Sequence, residues 1–276
     1  MKPVTRRQVV IGGAAALATL AGARSATAQA SPSTAGPGDP KLIEDLVAAN
    51  RILADQGVVD GYGHVSVRHD KAADRYLMSR SIAPELVTAA DIMEYDLDSV
   101  PVDPKGRATY LERFIHGEIY RARPDVLAIV HNHSPSVIPF GVTGVPLRPL
   151  YHMSAFLWPG VPVFEIRGAG GSATDMLIRN PALGQALATT LGAGPVALMR
   201  GHGAVVVGGS LPEAVFRSVY TEVNARLQAQ AVALGGPINY LDTEEAKKAQ
   251  ASIAGTIPRP WELWKRKALA ASAKTP

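Results

Sequence analysis

The sequence has 276 residues, no cysteine, 47% hydrophobic residues and a formal net charge of +4. This composition predicts a globular protein with a sizeable core, and the lack of cysteine excludes thiolate catalysis and cysteine-ligated metal sites. The first 30 residues contain four basic and no acidic residues, which accounts for the whole net charge. The remaining chain is formally neutral and lacks the basic surface that is typical of nucleic-acid binders.

Residues 1–30 predict a cleavable export signal. An apolar stretch from Val9 to Ala23 follows basic residues, and Ala28-Gln29-Ala30 has the small-residue pattern of a cleavage site. The pair Arg6-Arg7 is typical of the twin-arginine route, with a general secretory signal or an uncleaved anchor as the alternatives. The apolar stretch is short and rich in Ala and Gly, which disfavours a membrane span. We therefore expect an exported, periplasmic mature protein without a membrane segment.

The next segment, residues 31–40, is rich in Ser, Pro and Gly and predicts a disordered spacer. No comparable linker follows Pro40. Residues 41–276 are therefore expected to form a single domain with a C-terminal extension.

Helical and strand patterns are interleaved along this domain. Asp39-Pro40 supply the N-cap and first-turn proline of a helix that ends at Gly57. Further helices are predicted at about 109–121, between Asn180-Pro181 and Gly192, and at 211–234. Strands are predicted at 64–68, 75–78, 92–96, 126–133, 161–166, 196–200 and 204–207. Because the early strands are neighbours in the chain, the pattern indicates a mixed or mainly antiparallel sheet covered by helices.

Three histidines are candidates for a metal site. His131 and His133 lie at the end of a predicted strand, where side chains two residues apart point to the same face. Two imidazoles placed in this way can reach one ion at about 2.0–2.2 Å each. His202 lies in a Gly-His-Gly turn between two predicted strands, and flanking glycines allow close approach to a ligand. Polar residues at a strand end and a histidine in a surface loop are the alternatives.

Glu112 is the candidate acid, and its local sequence allows two interpretations. Thr109-x-x-Glu112 has the spacing of a capping box, in which the glutamate would bond to the start of its own helix. His116 follows four residues later on the same helix face. Local spacing does not separate a capping role from a catalytic one.

The order of these motifs resembles the class II aldolase/adducin family. An acidic helix ending in "RPD", an apolar strand leading into His-x-His and a later Gly-His-Gly together cover residues 41–240. The resemblance implies a three-layer α/β/α fold and a divalent metal bound by His131, His133 and His202. Zinc is the expected ion, with manganese, iron or cobalt as alternatives. It also implies that Glu112 serves as acid/base and that a homotetramer carries the sites at its subunit interfaces.

Several departures from the family's sugar-phosphate aldolases concern the substrate. His64 occupies the place of an asparagine in an early strand turn, and Tyr110 and Leu111 replace a Ser-Ser pair of the phosphate pocket. Tyr and Leu lack the short hydroxyl donors that a phosphate requires. His152, beside Tyr151, aligns with a catalytic tyrosine that the aldolases contribute across a subunit interface. These changes argue against a phosphorylated sugar.

The segments "DGYGHVSVR", "MSRSIAPELV" and "HNHSPSVIPFG" are similar to the decarboxylase branch of the family. That resemblance implies a metal-dependent lyase that decarboxylates a hydroxylated aromatic or ring-cleavage dicarboxylate through a metal-stabilised enolate. The alternatives are an aldolase or epimerase acting on a small hydroxylated carbonyl compound, and a non-catalytic binding module like the adducin head. The residues expected to act are Glu112, His64 and His152 as proton carriers, and Arg80, Ser79 and Tyr151 in substrate binding. A surface position is the alternative for Arg80, which would otherwise pair with a substrate carboxylate.

Overall fold

A seven-stranded sheet separates two hydrophobic cores. The computed structural model describes residues 32–272, so the predicted export signal lies outside the described residues and stays a prediction. The strands are β1 His64–Arg68, β2 Arg75–Ser79, β3 Ile92–Asp96, β4 Ala128–Asn132, β5 Val163–Phe164, β6 Val196–Met199 and β7 Gly203–Gly208. Their order in the sheet is β3-β2-β1-β4-β7-β6-β5. Of these pairs, β5 with β6 is parallel and the others are antiparallel.

Helices cover both faces of the sheet. They are α1 Pro40–Asp55, α2 Phe114–Ala122, α3 Ile138–Val142, α4 Arg167–Gly170, α5 Pro181–Leu191, α6 Leu211–Leu234, α7 Thr243–Ala254 and α8 Pro258–Ser272. Residues of α1, α6 and α8 belong to the first core, and residues of α2 and α5 belong to the second. The predicted three-layer arrangement with a mixed, mainly antiparallel sheet is therefore confirmed.

Alternation along the strands decides which side chains face the site. In β4, Ala128 and Val130 pack into the first core, whereas Ile129 packs into the second. His131 therefore faces the same side as Ile129, because side chains of a strand alternate with a period of two. In β1, Val65 and Val67 belong to the first core. His64 and Ser66 thus share the face of the second core.

The helix starts follow the capping chemistry that the sequence predicts. The Asp39 side chain accepts hydrogen bonds from the first turn of α1, Asn180 accepts one from Leu183 N, and Ser210 accepts one from Glu213 N. These caps satisfy amide groups that have no partner within their helix. The bounds of α5 and α6 agree with the prediction.

The described part of the predicted spacer contacts the sheet. Glu94, on β3, accepts hydrogen bonds from Thr34 Oγ1 at 2.6 Å and from Ala35 N at 2.8 Å. The carbonyl of Gly36 lies 3.0 Å from His69 Nε2. Residues 32–39 form no helix or strand, and Pro40 already belongs to α1. Composition does not show these distant polar partners, and the disordered spacer stays a prediction.

The C-terminal extension is an integral part of the domain. Trp261 and Trp264 of α8 are buried in the first core. Lys265 lies 2.6 Å from Asp45 and 2.6 Å from Glu44, both on α1. Within residues 32–272, no helix combines the length and apolar character needed to cross a membrane.

Candidate metal centre and active site

Glu112, His131, His133 and His202 meet at one point, with one donor atom of each within 4.8 Å of the others. His133 Nε2 lies 3.2 Å from His131 Nε2 and 3.0 Å from His202 Nε2. Glu112 Oε2 lies 3.4 Å from the Nε2 atoms of His131 and His202. Ligands about 2.05 Å from a tetrahedral zinc ion are about 3.3 Å apart, so the observed spacing fits such an ion.

The sheet brings together residues that are far apart in the chain. β4 pairs with β7, with His131 opposite Val205 and Asn132 opposite Ala204. The tight turn between β6 and β7 contains His202, and this places its imidazole beside His133. Gly201 at this turn has φ +60°, a conformation that residues with a Cβ rarely adopt. The Gly-His-Gly motif is therefore required by the backbone of the site.

Gly203 allows β7 to approach β4 closely. A Cβ at this position would lie 1.9 Å from the carbonyl oxygen of Asn132. We expect Gly203→Ala to displace the turn that carries His202, to lower zinc affinity, and to cost roughly 1–3 kcal/mol or more of unfolding free energy. Denaturant unfolding and zinc titration measure these effects. Gly168→Ala is the matched control, since a Cβ there meets nothing within 4 Å. Equal stability and zinc affinity of the two variants would contradict this explanation.

Hydrogen bonds fix the tautomers of two of the histidines. His131 Nδ1 lies 3.2 Å from Ala204 O, and His202 Nδ1 lies 2.9 Å from Met176 O. A carbonyl oxygen only accepts, so each Nδ1 must donate, and in the neutral ring each Nε2 presents a lone pair to the cluster. The Glu112 carboxylate adds another acceptor at the same point. Such a convergence of acceptors fits a cation, and carbonyl-oriented imidazoles are typical of metal ligands.

Burial and neighbouring charges set the protonation of the cluster. Burial raises the pKa of Glu112, but the nearby His131 and His202 have a larger, opposite effect. The net pKa of Glu112 is therefore well below its usual range. Burial and the adjacent His131 and His202 lower the pKa of His133 to about 4. For His202, the effect of burial is outweighed by Glu112, and the net pKa is raised. Glu112 is therefore anionic and His133 neutral near neutral pH, the forms in which they bind metals.

The capping interpretation of Glu112 does not agree with the structure. Glu112 lies in a short 3-10 turn, Leu111–Arg113, whose start at Tyr110 has no side-chain cap. Its Oε1 accepts a hydrogen bond of 2.9 Å from Ile178 N, while its Oε2 faces the histidines. The carboxylate is thus oriented from the loop before α5 and belongs to the cluster.

A cavity of about 450 Å³ opens beside the cluster. Its walls are mainly aromatic and aliphatic, and they include Tyr62, Ile82, Tyr110, Leu111 and Leu177. Its polar lining consists of His64, Ser81, Glu112, His131 and His133. None of the lining side chains that the structure describes is Lys or Arg. The cavity is therefore suited to a largely apolar ring whose negative charge lies at the cluster.

The remaining residues singled out from the sequence occupy different positions. His64 lines the cavity, and its ring is 5.1 Å from that of His131. Ser79 Oγ lies 3.2 Å from the Tyr110 hydroxyl and is buried behind the cavity wall. Arg80 is not among the lining residues, and its Nε donates to Asp91 Oδ1 at 2.6 Å. Ser79 thus contacts the wall through Tyr110, and the substrate-binding role of Ser79 and Arg80 stays a prediction.

His152 and Tyr151 do not join the cluster within one chain. His152 is exposed and borders a small pocket formed with α6 and α7. Tyr151 packs beside Tyr220, with ring centroids 6.5 Å apart. Their proposed action across a subunit interface stays a prediction.

Tyr62 and Leu177 were not recognised from the sequence, although they line the cavity. Both lie in segments without helix or strand, where periodicity provides no signal. The similarity of the segment "DGYGHVSVR" to the decarboxylase branch was an indication of a site near Tyr62.

Comparison with known proteins agrees with this geometry. The sequence profile described as "Class II Aldolase and Adducin N-terminal domain" matches residues 44–229. The chain belongs to the class II aldolase and adducin family. The predicted resemblance is thereby confirmed.

Individual relatives are named as decarboxylases and aldolases. "Decarboxylase tropJ" from Talaromyces stipitatus is 39% identical over 246 residues, covering 81% of this chain and 92% of that protein. A 3,4-dihydroxyphthalate decarboxylase from Terrabacter sp. is 34% identical, covering 72% of this chain and 85% of that protein. The structure of L-fuculose 1-phosphate aldolase from Glaciozyma antarctica PI12 has a TM-score of 0.70 and 23% identity, covering 85% of this chain and 90% of that chain. The aldolase likeness shows the fold, and the family with its decarboxylase relatives indicates a lyase.

Proposed function

We propose that the protein is a metal-dependent decarboxylase acting on a hydroxylated aromatic or ring-cleavage dicarboxylate. The observation that carries this proposal is a three-histidine, one-carboxylate cluster beside a cavity with aromatic and aliphatic walls. The names of the similar decarboxylases support the reaction type. They also favour removal of carbon dioxide over aldol cleavage.

The donor set is compatible with a divalent ion held by His131, His133 and His202. We propose zinc, while imidazole ligands also suit manganese, iron or cobalt. When bound, such an ion supplies a Lewis acid that stabilises the negative charge left on the substrate as carbon dioxide departs.

The cavity walls select and orient the substrate. Tyr62 and Tyr110 line the cavity and supply aromatic surface for contact with a planar substrate. A phosphate or a second carboxylate buried in the cavity would have no Lys or Arg partner among the described lining residues. Burying such a charge without a partner is costly. We therefore propose that the reacting carboxylate lies at the cluster and that a second carboxylate of a dicarboxylate substrate points to the cavity mouth.

We propose Glu112 as the residue that moves the proton. Its carboxylate is anionic and lies at the cluster, within reach of a substrate hydroxyl placed there. It would take the hydroxyl proton as the bond between the ring carbon and the carboxyl carbon breaks. It would then return the same proton to the ring carbon, where a carbon–hydrogen bond forms. The electron pair of the broken carbon–carbon bond forms the new carbon–hydrogen bond, carbon dioxide leaves, and the former hydroxyl oxygen is left as an anion that would regain a proton from water.

We further propose a homotetramer in which His152 and Tyr151 approach the cavity of a neighbouring subunit. Their exposed or half-buried positions outside the cluster are consistent with contacts between subunits.

A matched panel of substrates tests the reaction. It contains hydroxylated aromatic acids that differ only in the number of carboxyl groups, together with aldol substrates with and without a phosphate. We expect carbon dioxide release from the aromatic acids and no aldehyde from the phosphorylated aldol substrates. Aldehyde production without carbon dioxide release from any acid would favour the alternative, an aldolase or epimerase.

A further inference from the structure

A chain of buried polar side chains leads from the cavity into the second core. His64 Nδ1 lies 2.6 Å from His116 Nε2, and His116 Nδ1 lies 2.6 Å from Ser66 Oγ. Ser66 Oγ in turn lies 2.9 Å from the Tyr120 hydroxyl. His116 and Ser66 are fully buried, and Tyr120 is nearly so. His64 and Ser66 come from one face of β1, while His116 and Tyr120 are one turn apart on α2.

Tyr120, at the end of this hydrogen-bonded series that is farthest from the cavity, determines the direction of the hydrogen bonds. Tyr120 can donate to Ser66 Oγ at 2.9 Å or to Leu127 O at 3.4 Å. Leu127 O already accepts a hydrogen bond of 2.8 Å from Arg68 N. The contact to Leu127 O is long, and the shorter contact favours donation to Ser66. Ser66 then has a single proton left to donate, and it donates to His116 Nδ1.

The direction of these hydrogen bonds also determines which nitrogen of His64 carries a proton at the cavity. A His116 ring that accepts at Nδ1 carries its proton on Nε2, so it donates to His64 Nδ1. Burial and the nearby His131 lower the pKa of His116 to about 3, in agreement with a neutral ring that has one N–H. The remaining nitrogen of His64, Nε2, must carry the proton of that ring and is the nitrogen left for the cavity.

We propose that His116, oriented by Ser66 and Tyr120, is a positioning residue that fixes His64 in the tautomer with its proton on Nε2. His64 thus offers an N–H to a substrate oxygen. This role in substrate binding rests on the proposed function, whereas the tautomer does not.

The same hydrogen-bonded series argues against His64 as the net source of the proton that replaces carbon dioxide on the substrate carbon. If His64 gave up its Nε2 proton, each member of the chain would have to pass a proton towards His64, and Tyr120 would be left as an anion. Burial raises the pKa of Tyr120 well above its ordinary value, so that anion is disfavoured. His64 therefore acts as a hydrogen-bond donor to an oxygen whose negative charge grows as carbon dioxide leaves.

The tautomer can be read directly by nitrogen NMR of histidine-labelled, zinc-loaded protein without substrate. The His64 signals are assigned by their loss in His64→Gln. In the native protein we expect a protonated Nε2 and an unprotonated Nδ1. In Tyr120→Phe, which leaves both histidines in place, we expect a second His64 population with its proton on Nδ1. A native His64 protonated on Nδ1, or a Tyr120→Phe spectrum identical to the native one, would overturn the proposal.

Two variants of His116 separate positioning from packing. His116→Gln keeps an N–H donor towards His64, whereas His116→Met fills the space without one. We expect kcat to fall about 10-fold or more in His116→Met with KM changed less than about 3-fold, and to stay within about 3-fold of native in His116→Gln. Equal kcat values for the two variants would contradict the assignment. If His116→Met does not fold, the NMR measurement still tests the tautomer. Absence of carbon dioxide release in the native protein would reject the proposed function but would leave the tautomer assignment unaffected.

Discussion

Replacing His131 by alanine is expected to remove the bound metal and to lower decarboxylation at least ~1000-fold, because metal stabilisation of developing charge is worth several kcal/mol and each 1.36 kcal/mol is a factor of ten in rate. His131 is fully buried, and its Nδ1 bond to Ala204 O directs Nε2 at the cluster. Alanine at this position leaves two imidazoles and a carboxylate, so the cluster has one ligand fewer. His133→Ala should behave similarly, and its partly exposed position makes a folding defect less of a concern.

Metal content per protein chain, measured after reconstitution with zinc and removal of excess ion, checks this expectation. His152→Ala is the matched control, since it removes an exposed histidine that lies outside the cluster. We expect full metal content in that control and little in His131→Ala, with similar circular dichroism for both. Equal metal content in the two variants would reject the metal centre.

Glu112→Gln is expected to lower kcat about 10²–10⁴-fold, the range typical of a lost general acid–base group. Glutamine has nearly the same shape and keeps an oxygen that can accept the hydrogen bond from Ile178 N. The fold and the cavity should therefore be retained. What is lost is the negative charge at the histidines and the ability to take up and return a proton. Metal affinity should fall less than in His131→Ala, because all three imidazoles remain.

The comparison variant is Glu118→Gln, on the helix that follows Glu112. Glu118 is also largely buried, but its ionic partner is Arg121, at 3.7 Å. We expect native kcat for Glu118→Gln and a large loss for Glu112→Gln at equal metal loading. Full activity of a metal-loaded Glu112→Gln enzyme would exclude the proposed proton carrier.

Local patterns in the sequence were sufficient for most of the sheet, and they indicated the three histidines of the cluster as candidates. The β-branched stretches predicted β1, β4 and β7, and the caps at Asn180 and Ser210 predicted α5 and α6. Predictions were less accurate where tertiary packing decides the length of an element. The strand expected at 161–166 is confined to Val163–Phe164, because only this part pairs with β6.

Contacts between residues that are distant in the sequence account for the side-chain partners that could not be predicted. The pairing of Arg80 with Asp91 could not be read from either residue, since both are ordinary charged side chains in a loop region. The same holds for His116. Its position four residues after Glu112 showed a shared helix face, but not that β1 places His64 and Ser66 against its two ring nitrogens. A side chain's partners depend on the register of the sheet, which single-sequence patterns do not specify.

The position of the ligands in the sheet has a consequence for how an ion would exchange. β4 and β7 are interior strands, with β1 on one side and β6 on the other. Backbone amides of interior strands generally exchange with solvent only in large, rare openings, whereas edges and loops open often. His131 is anchored in β4, and His202 is held beside the start of β7. Ion uptake and loss should therefore proceed through the cavity at rates set by side-chain motion and water access, independent of the slow amide exchange of the strands that carry the ligands.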